Sequence, residues 1–262
     1  MKIINFEDGV AINGDSSSPE VIKEISKIFG NEILANAIVT DPPYGNLLKD
    51  QWDKWDNSQR SFVDWMISWT NSYSNFLVQG GAMYIWGGYG TPKFRPFFEY
   101  AHRVEEESSM KFSNFITWSK KRAYGVQHNY LSTREELIYL VKGDIKKPAV
   151  FNIPLLDTKR GYGGYDPNYP AKSEFYRRTN VWMDITEIFS GKVHVAQKPV
   201  KLYEIPIEVN TKPEQWVIDP FAGSMTCAFA ARNLGRKWVC IERDEKIFNE
   251  AVESLKNGDR KR

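Results

Sequence analysis

The sequence is poor in the residues that build metal and disulfide sites, with 2 cysteines and 3 histidines among 262 residues. Cys227 and Cys240 fall inside segments with the patterns of a helix and a strand, where an isolated cysteine is usually a small buried residue. No stretch approaches the roughly 18 consecutive apolar residues of a membrane helix, and residues 1–8 lack the basic and apolar regions of a signal peptide. We therefore expect a soluble, cytoplasmic protein that binds no metal ion and no membrane.

The net charge is also small, at +2, but the charge is unevenly distributed. Residues 1–110 carry 9 Lys and Arg against 15 Asp and Glu, whereas residues 111–201 carry 16 against 8. In this middle segment the basic residues are interleaved with tyrosine and phenylalanine. Because cations neutralise phosphates and aromatic faces stack on bases, the mixture suits a nucleic-acid groove. The charge pattern alone is equally consistent with an ordinary solvated basic surface.

Apolar runs alternate with amphipathic segments along most of the chain, which predicts an α/β fold. Predicted strands cover residues 37–40, 82–86, 112–119, 136–141, 216–219 and 237–241. Predicted helices cover 60–78, 92–102, 199–209, 225–234 and 245–256, with Gly80 and Gly81 closing the first of them. The rhythm is lost between residues 146 and 191, which are rich in Gly, Pro, basic and aromatic residues. We expect a long loop or small subdomain there, dividing the chain into 1–145, 146–191 and 192–262.

Two loops that follow predicted strands contain residues suited to chemistry. Asp41-Pro42-Pro43-Tyr44-Gly45 is a turn through which neither strand nor helix could continue. The segment from Asp219 to Thr226 passes from a strand to a helix through Gly223, which lets a ligand approach the backbone. Glu242 ends the next strand, where nucleotide-binding α/β folds place a carboxylate for the ribose hydroxyls. Taken singly, each motif is also compatible with a structural turn.

The order of these motifs resembles that of the β-class amino-methyltransferases of DNA. Asp41 to Tyr44 resembles the catalytic DPPY motif, His194 to Pro199 resembles the H-x-x-Q-K-P block, and Asp219 to Thr226 resembles DPFxGSGT, with Met225 in place of a second glycine. The resemblance implies a Rossmann-like α/β methyltransferase with a mostly parallel central sheet and circularly permuted motif order. Residues 146–191 would form a small target-recognition region between a catalytic half and a cofactor-binding half.

The resemblance also implies S-adenosylmethionine as the cofactor. Asp219 would hold the turn or the cofactor's amino group, Lys198 would lie near its carboxylate, and Glu242 would bind the ribose. Asp15 would contact the adenine of the cofactor, or alternatively cap the helix that begins near Pro19. The predicted cofactor set is Asp15, Asp41, Pro42, His194, Gln197, Lys198, Asp219, Phe221, Ala222, Gly223, Ser224, Thr226 and Glu242. His194 would equally suit a structural role, and the Met225 side chain would either crowd the cofactor or turn away from it.

The predicted catalytic residues are Asp41, Pro42, Pro43 and Tyr44. An exocyclic amino nitrogen is a poor nucleophile, because its lone pair is delocalised into the ring of the base. The Asp41 carboxylate would accept one N–H of that amino group and the Pro42 carbonyl the other, while Tyr44 would stack on a base flipped out of the duplex. A leading Asp resembles N6-adenine enzymes, whereas a leading Ser resembles N4-cytosine enzymes.

Double-stranded DNA is the predicted partner, and analogy suggests a homodimer. The predicted DNA contacts are Lys120, Arg122, Arg177, Arg178 and Asn180. Trp52 and Trp55 would form either a lid over the flipped base or a buried amphipathic segment. Three alternatives remain open: N4-cytosine methylation, a silent DNA-binding partner subunit whose cofactor pocket is compromised by Met225, and methylation of RNA or protein glutamine.

Overall fold

The computed structural model describes residues 1–30, 34–45, 55, 58–88, 90, 93–124, 128, 130–159, 173–188 and 197–258. The strands are β1 (Lys2–Asn5), β2 (Gly9–Asn13), β3 (Ala35–Thr40), β4 (Leu77–Gly87), β5 (Met110–Tyr124), β6 (Ser132–Lys142), β7 (Leu155–Lys159), β8 (Phe175–Arg177), β9 (Val181–Trp182), β10 (Trp216–Asp219) and β11 (Lys237–Glu242). The helices are α1 (Pro19–Phe29), α2 (Gln59–Ser74), α3 (Pro96–Glu107), α4 (Lys201–Asn210), α5 (Thr226–Asn233) and α6 (Glu245–Asn257).

Nine strands of the described ranges form one sheet in the order β1-β2-β11-β10-β3-β4-β6-β5-β9. The five strands from β2 to β4 are parallel, whereas β1 and β6 run antiparallel to their neighbours. The central strands β3, β10 and β11 are apolar and almost wholly buried, as expected for parallel strands covered on both faces. The predicted α/β fold with a mostly parallel sheet is therefore confirmed.

Helices cover both faces of the sheet. Buried residues of α1, α2 and α3 form one hydrophobic cluster, and those of α4, α5 and α6 form the other. In parallel sheets of this kind, ligands bind outside the carboxyl ends of the strands. Thr40, Asp219 and Glu242 end three adjacent strands at this edge. The predicted catalytic and cofactor motifs are therefore neighbours in space, although about 180 residues separate them in the sequence.

The prediction that Gly80 and Gly81 close a helix was wrong. Helix α2 ends at Ser74, and both glycines lie inside β4, where the register with β3 shifts. Gly80 adopts φ +76°, and its carbonyl accepts a hydrogen bond from Ala149 N at 2.8 Å. A Cβ atom at Gly80 would lie 2.6 Å from this backbone, so the glycine permits a close approach that no sequence periodicity reveals.

The segment between residues 146 and 191 contains two short structural units in its described part. Strands β7 and β8 form a separate antiparallel pair, while β9 joins the edge of the main sheet beside β5. The Asn152 side chain donates hydrogen bonds to the carbonyls of Glu208 and Thr211, which attaches the start of the segment to the end of α4. None of the helices in the described ranges is long and apolar enough to span a membrane.

Candidate active site

The loop after β3 brings Asp41 and Tyr44 into contact. The Tyr44 hydroxyl donates a hydrogen bond to Asp41 Oδ1 at 2.8 Å. Burial raises the pKa of both side chains, and the neighbouring carboxylates raise the pKa of Tyr44 further, so that the phenol stays neutral. The loop therefore presents an acceptor carboxylate and an aromatic ring side by side, as the sequence predicts for the catalytic motif.

Lys198 lies against this loop. Its Nζ forms a short ion pair with Asp41 Oδ2, lies 3.1 Å from Glu135 Oε2, and donates to the Tyr44 hydroxyl at 3.0 Å. The side chain is 7% exposed, and Nζ lies 5.1 Å from the centre of a Trp86 ring. Burial alone would lower the pKa of Lys198, but Asp41 and Glu135 raise it above its ordinary value, so the ammonium is charged.

The expectation that Lys198 lies near the carboxylate of the cofactor stays a prediction. Two protein carboxylates already hold its ammonium, and a third anion would compete with them. Gln197 is half-buried beside it. His194 lies outside the described residues.

Glu135 is a member of the site that the sequence motifs did not identify. It lies near the start of β6, opposite Trp118 of β5, and forms an ion pair with Lys120 through Oε1. Burial opposes its ionisation, but Lys198 and Lys120 lower the pKa of Glu135 to about 2. Its signal in the sequence was an acidic residue just before the apolar run of β6.

The cofactor turn connects β10 to α5. Gly223 has φ +49°, and a Cβ atom built there would meet nothing within 4 Å, so the backbone faces open space. Glu242 Oε2 accepts a hydrogen bond from Gly223 N at 2.8 Å, and Oε1 accepts one from Asp244 N at 2.7 Å. The carboxylate at the end of β11 is thus held against the turn, where a ribose would lie.

Asp219 connects the cofactor turn to the catalytic loop. Its Oδ1 accepts hydrogen bonds from Thr40 Oγ1 at 2.6 Å and Phe221 N at 3.1 Å, while Oδ2 is buried without a partner among the described residues. Burial raises the pKa of Asp219 to about 7. An orphaned acceptor beside open glycine backbone fits a ligand that brings hydrogen-bond donors, such as the ammonium of S-adenosylmethionine.

Other members of the predicted cofactor set surround this turn. Phe221 packs edge-on against Trp69, with ring centres 5.2 Å apart. Asp15 follows β2 at the same edge of the sheet, and its Oδ1 accepts a hydrogen bond from Ser17 N. Because Ser18 caps α1, the alternative that Asp15 is the cap was wrong. The remaining small residues, Ala222, Ser224 and Thr226, are buried in the turn and at the start of α5.

Met225 turns away from solvent. It adopts the left-handed conformation, with φ +58° and ψ +38°, and its side chain is fully buried in the cluster formed by α4, α5 and α6. Of the two orientations considered from the sequence, this one leaves the open face of Gly223 clear.

The predicted DNA contacts divide into two groups. Arg178 forms a bidentate ion pair with Asp184, its side chain is 6% exposed, and Asn180 donates to Asn114 Oδ1 and the Phe115 carbonyl. Direct binding of DNA by Arg178 stays a prediction, and in this conformation its guanidinium is already paired with Asp184. Arg122 and Arg177 have exposed side chains, whereas Lys120 is ion-paired with Glu135.

The described part of the predicted lid favours its structural interpretation. Trp55 is half-buried, its ring lies 5.2 Å from that of Phe62, and Nε1 donates to Ser61 Oγ at 3.0 Å. Trp52 lies outside the described residues.

Comparison with known proteins agrees with this geometry. Residues 35–253 match the family model of N6/N4 DNA methylases. The chain belongs to the N6/N4 DNA methylase family. The matched range contains both the Asp41 loop and the cofactor turn, which confirms the β-class resemblance and supports S-adenosylmethionine as the cofactor.

Among curated N6/N4 methylase relatives, the chain is 27% identical over 271 residues to the type II methyltransferase M.BamHI of Bacillus amyloliquefaciens, covering 92% of this chain and 61% of that protein. It therefore spans less than two thirds of the length of M.BamHI. The chain is also 26% identical over 303 residues to M.HindIII of Haemophilus influenzae, covering 89% of this chain and 92% of that protein.

Solved structures show the same fold. The crystal structure of the M1.HpyAVI complex with S-adenosylmethionine superposes with a TM-score of 0.65 at 25% identity, covering 94% of this chain and 98% of that chain. The cytosine-N4-specific PvuII DNA methyltransferase superposes with a TM-score of 0.69 at 19% identity, covering 95% and 86%. At 19% identity the match to the PvuII enzyme supports only the fold of this chain and not its target base.

Proposed function

We propose that this N6/N4 methylase transfers a methyl group from S-adenosylmethionine to N6 of an adenine flipped out of double-stranded DNA. The observation that carries the proposal is the contact between the two motifs, since Thr40, which precedes Asp41, donates a hydrogen bond to Asp219 of the cofactor turn. Acceptor groups for the amino nitrogen therefore lie next to the turn that would hold the methyl donor.

In this mechanism the protein positions and deprotonates the amino group. S-adenosylmethionine, when bound, supplies an electrophilic methyl group on a sulfonium. Asp41 accepts one N–H and the Pro42 carbonyl accepts the other, which draws the nitrogen towards tetrahedral geometry. As the N–C bond forms and the C–S bond breaks, the nitrogen becomes positively charged and releases one proton to Asp41. Tyr44 supports the face of the base, which offsets part of the unstacking cost of a few kcal/mol.

The leading Asp41 supports adenine as the target, and N4-cytosine methylation is the alternative outcome. Tritium-labelled S-adenosylmethionine incubated with duplex DNA, followed by digestion to nucleosides, separates the two. Label in N6-methyladenine is expected, whereas label in N4-methylcytosine alone would replace adenine with cytosine in the proposal.

The variant Asp41→Ala tests the catalytic role of the loop after β3. We expect loss of methyl transfer with little change in cofactor and DNA binding, because Asp41 acts on the amino group rather than on either ligand as a whole. Turnover equal to that of the unmodified chain would contradict the mechanism.

Three further expectations stay predictions: the division of the chain at residues 146 and 191, membership in a restriction-modification system, and a homodimeric state. Analytical ultracentrifugation measures the last of these.

A further inference from the structure

Asp41, Lys198, Glu135 and Lys120 form a chain of alternating charge that the mechanism above uses only at Asp41. Lys198 lies between the two carboxylates, and Lys120 lies on the far side of Glu135. The side chains of Asp41, Lys198, Glu135 and Lys120 are 16%, 7%, 17% and 22% exposed. Two cations and two anions compensate one another, which is the condition under which charges remain buried.

Each member comes from a different part of the fold. Asp41 follows β3, Glu135 belongs to β6, Lys120 to β5, and Lys198 precedes α4. Because β6 runs antiparallel to β4, its start lies at the same edge of the sheet as the end of β3. The cluster therefore connects the catalytic loop to the β5–β6 hairpin.

We propose that Glu135 is a positioning residue for methyl transfer, which acts by holding Lys198 beside Asp41 and by sharing its positive charge. This inference rests on the proposed function for its catalytic meaning, but its electrostatic content concerns the free protein. In the proposed mechanism Glu135 has no contact with the methyl donor or with the amino group. It acts through Lys198, to which it is bound at 3.1 Å, and through the Tyr44 hydroxyl at 3.4 Å.

The shared ammonium limits how strongly Asp41 is stabilised as an anion. A carboxylate paired with its own lysine is a weak base, whereas a buried carboxylate with a shared lysine and a second anion nearby keeps more affinity for a proton. Burial and the negative charge of Glu135 both raise the pKa of Asp41, and Lys198 opposes them. Within the part of the chain that the structure describes, the other ionisable groups around Asp41 are Tyr44 in its own loop, Tyr203 on α4 and Asp219 on β10.

The variant Glu135→Gln tests the inference without either ligand. With Asp residues labelled at the carboxyl ¹³C and the Asp41 signal assigned through Asp41→Asn, the titration midpoint of Asp41 is measured by NMR. We expect it to fall by about one pH unit, because an adjacent like charge is lost and Lys198 is no longer shared. An unchanged midpoint would overturn the inference.

The neighbouring residue offers a matched control. Glu136 carries the same charge on the same strand but binds Arg134 Nε at 3.0 Å and Thr117 Oγ1 at 2.7 Å. Glu136→Gln is expected to leave the Asp41 midpoint in place. An equal shift in both variants would mean that any negative charge on β6, rather than Glu135 in particular, sets the titration midpoint of Asp41.

A second variant keeps the test decisive if Glu135→Gln does not fold. Lys120→Met removes the cation on the far side, so Glu135 faces Lys198 and Asp41 with its full negative charge. The Asp41 midpoint is then expected to rise, opposite in sign to the first variant. A fall or no change in Lys120→Met would also overturn the inference.

Single-turnover methylation of DNA links the titration to the reaction. In Glu135→Gln the acid limb of the rate profile should move to lower pH, while the plateau rate falls by up to about 10-fold as Asp41 becomes a weaker base by about one pH unit. A rate loss at every pH with an unmoved limb would indicate a structural role and contradict the inference. If the unmodified chain methylates no DNA, the proposed function fails, whereas the NMR titration still decides the role of Glu135.

Discussion

At the scale of single residues, Met225 replaces the second glycine of the cofactor motif. A left-handed backbone costs a non-glycine residue about 1–2 kcal/mol, but the buried side chain contributes packing in the core cluster. For Met225→Gly we expect a net loss of about 1–3 kcal/mol in unfolding free energy, because removal of a buried methionine outweighs the relieved strain.

The same variant tests the open cofactor turn. Affinity for S-adenosylmethionine, measured by calorimetric titration, should change less than about threefold in Met225→Gly, since a fully buried side chain leaves the Gly223 face clear. A tenfold gain in affinity would show instead that methionine crowds the cofactor. That result would restore the alternative of a compromised pocket.

Asp219 makes the stability of the free protein depend on pH. Burial raises its folded pKa from 3.8 to about 7, so folding favours the protonated acid, and this stabilisation is lost as pH rises through 7. Asparagine resembles the neutral acid at every pH. The melting temperature of Asp219→Asn minus that of the unmodified chain should therefore be several degrees larger at pH 8.5 than at pH 5.

Differential scanning fluorimetry across this range measures the effect. Asp157→Asn, the same substitution at an exposed position of β7, supplies the control. If the difference for Asp219→Asn did not change with pH, the ionisation of Asp219 would not be coupled to folding.

At the scale of secondary-structure elements, the sequence predicts a strand or helix best where a single local pattern of residues corresponds to that element. Strands β10 and β11 match the apolar runs closely, because buried parallel strands need apolar residues on both faces. The hairpin of β1 and β2 is short and was not recognised as a pair. The catalytic loop and the cofactor turn were predictable because each is a local string of residues.

What the sequence did not predict depends on contacts between distant elements. Glu135 belongs to the site only because β6 runs antiparallel beside β4, and Lys198 meets Asp41 across 157 positions of the sequence. Arg178 and Arg177 are adjacent in the sequence and equal in charge, yet only Arg178 is held by Asp184. No periodicity distinguishes such pairs, since the partner is set by how the elements are arranged.

The adjacent arginines at the end of β8 give a direct comparison of structural and DNA-binding roles. Arg177→Ala should weaken DNA binding and reduce the slope of log affinity against log salt by about 1, as for loss of one phosphate contact. Arg178→Ala should instead lower the melting temperature, because Asp184 loses its partner and the stack on Trp182 is removed. Fluorescence anisotropy at several salt concentrations and thermal unfolding separate the two; matching effects of both substitutions on the salt slope would contradict the assignment.

At the scale of the whole molecule, the two halves of the sequence complete a single sheet. Strand β10 pairs with β3 through Val217 and Ala37, and β11 pairs with β2 along five residue pairs. Removing the C-terminal half would take away β11 and β10, which lie between β2 and β3 in the sheet, and the cluster on the side of α4, α5 and α6 would lose most of its members. The catalytic and cofactor halves predicted from the sequence are thus parts of one folding unit.

We therefore expect the chain to unfold in one cooperative transition. In scanning calorimetry the measured enthalpy should equal the van't Hoff enthalpy, because neither half can bury its strands alone. S-adenosylmethionine at 100 times its dissociation constant should add about 2.7 kcal/mol to the stability of the folded state and raise this single melting temperature. Two resolved transitions, with only the second shifted by cofactor, would mean that residues 192–262 fold independently of the rest of the chain. The position of β10 between β3 and β11 in the sheet argues against that outcome.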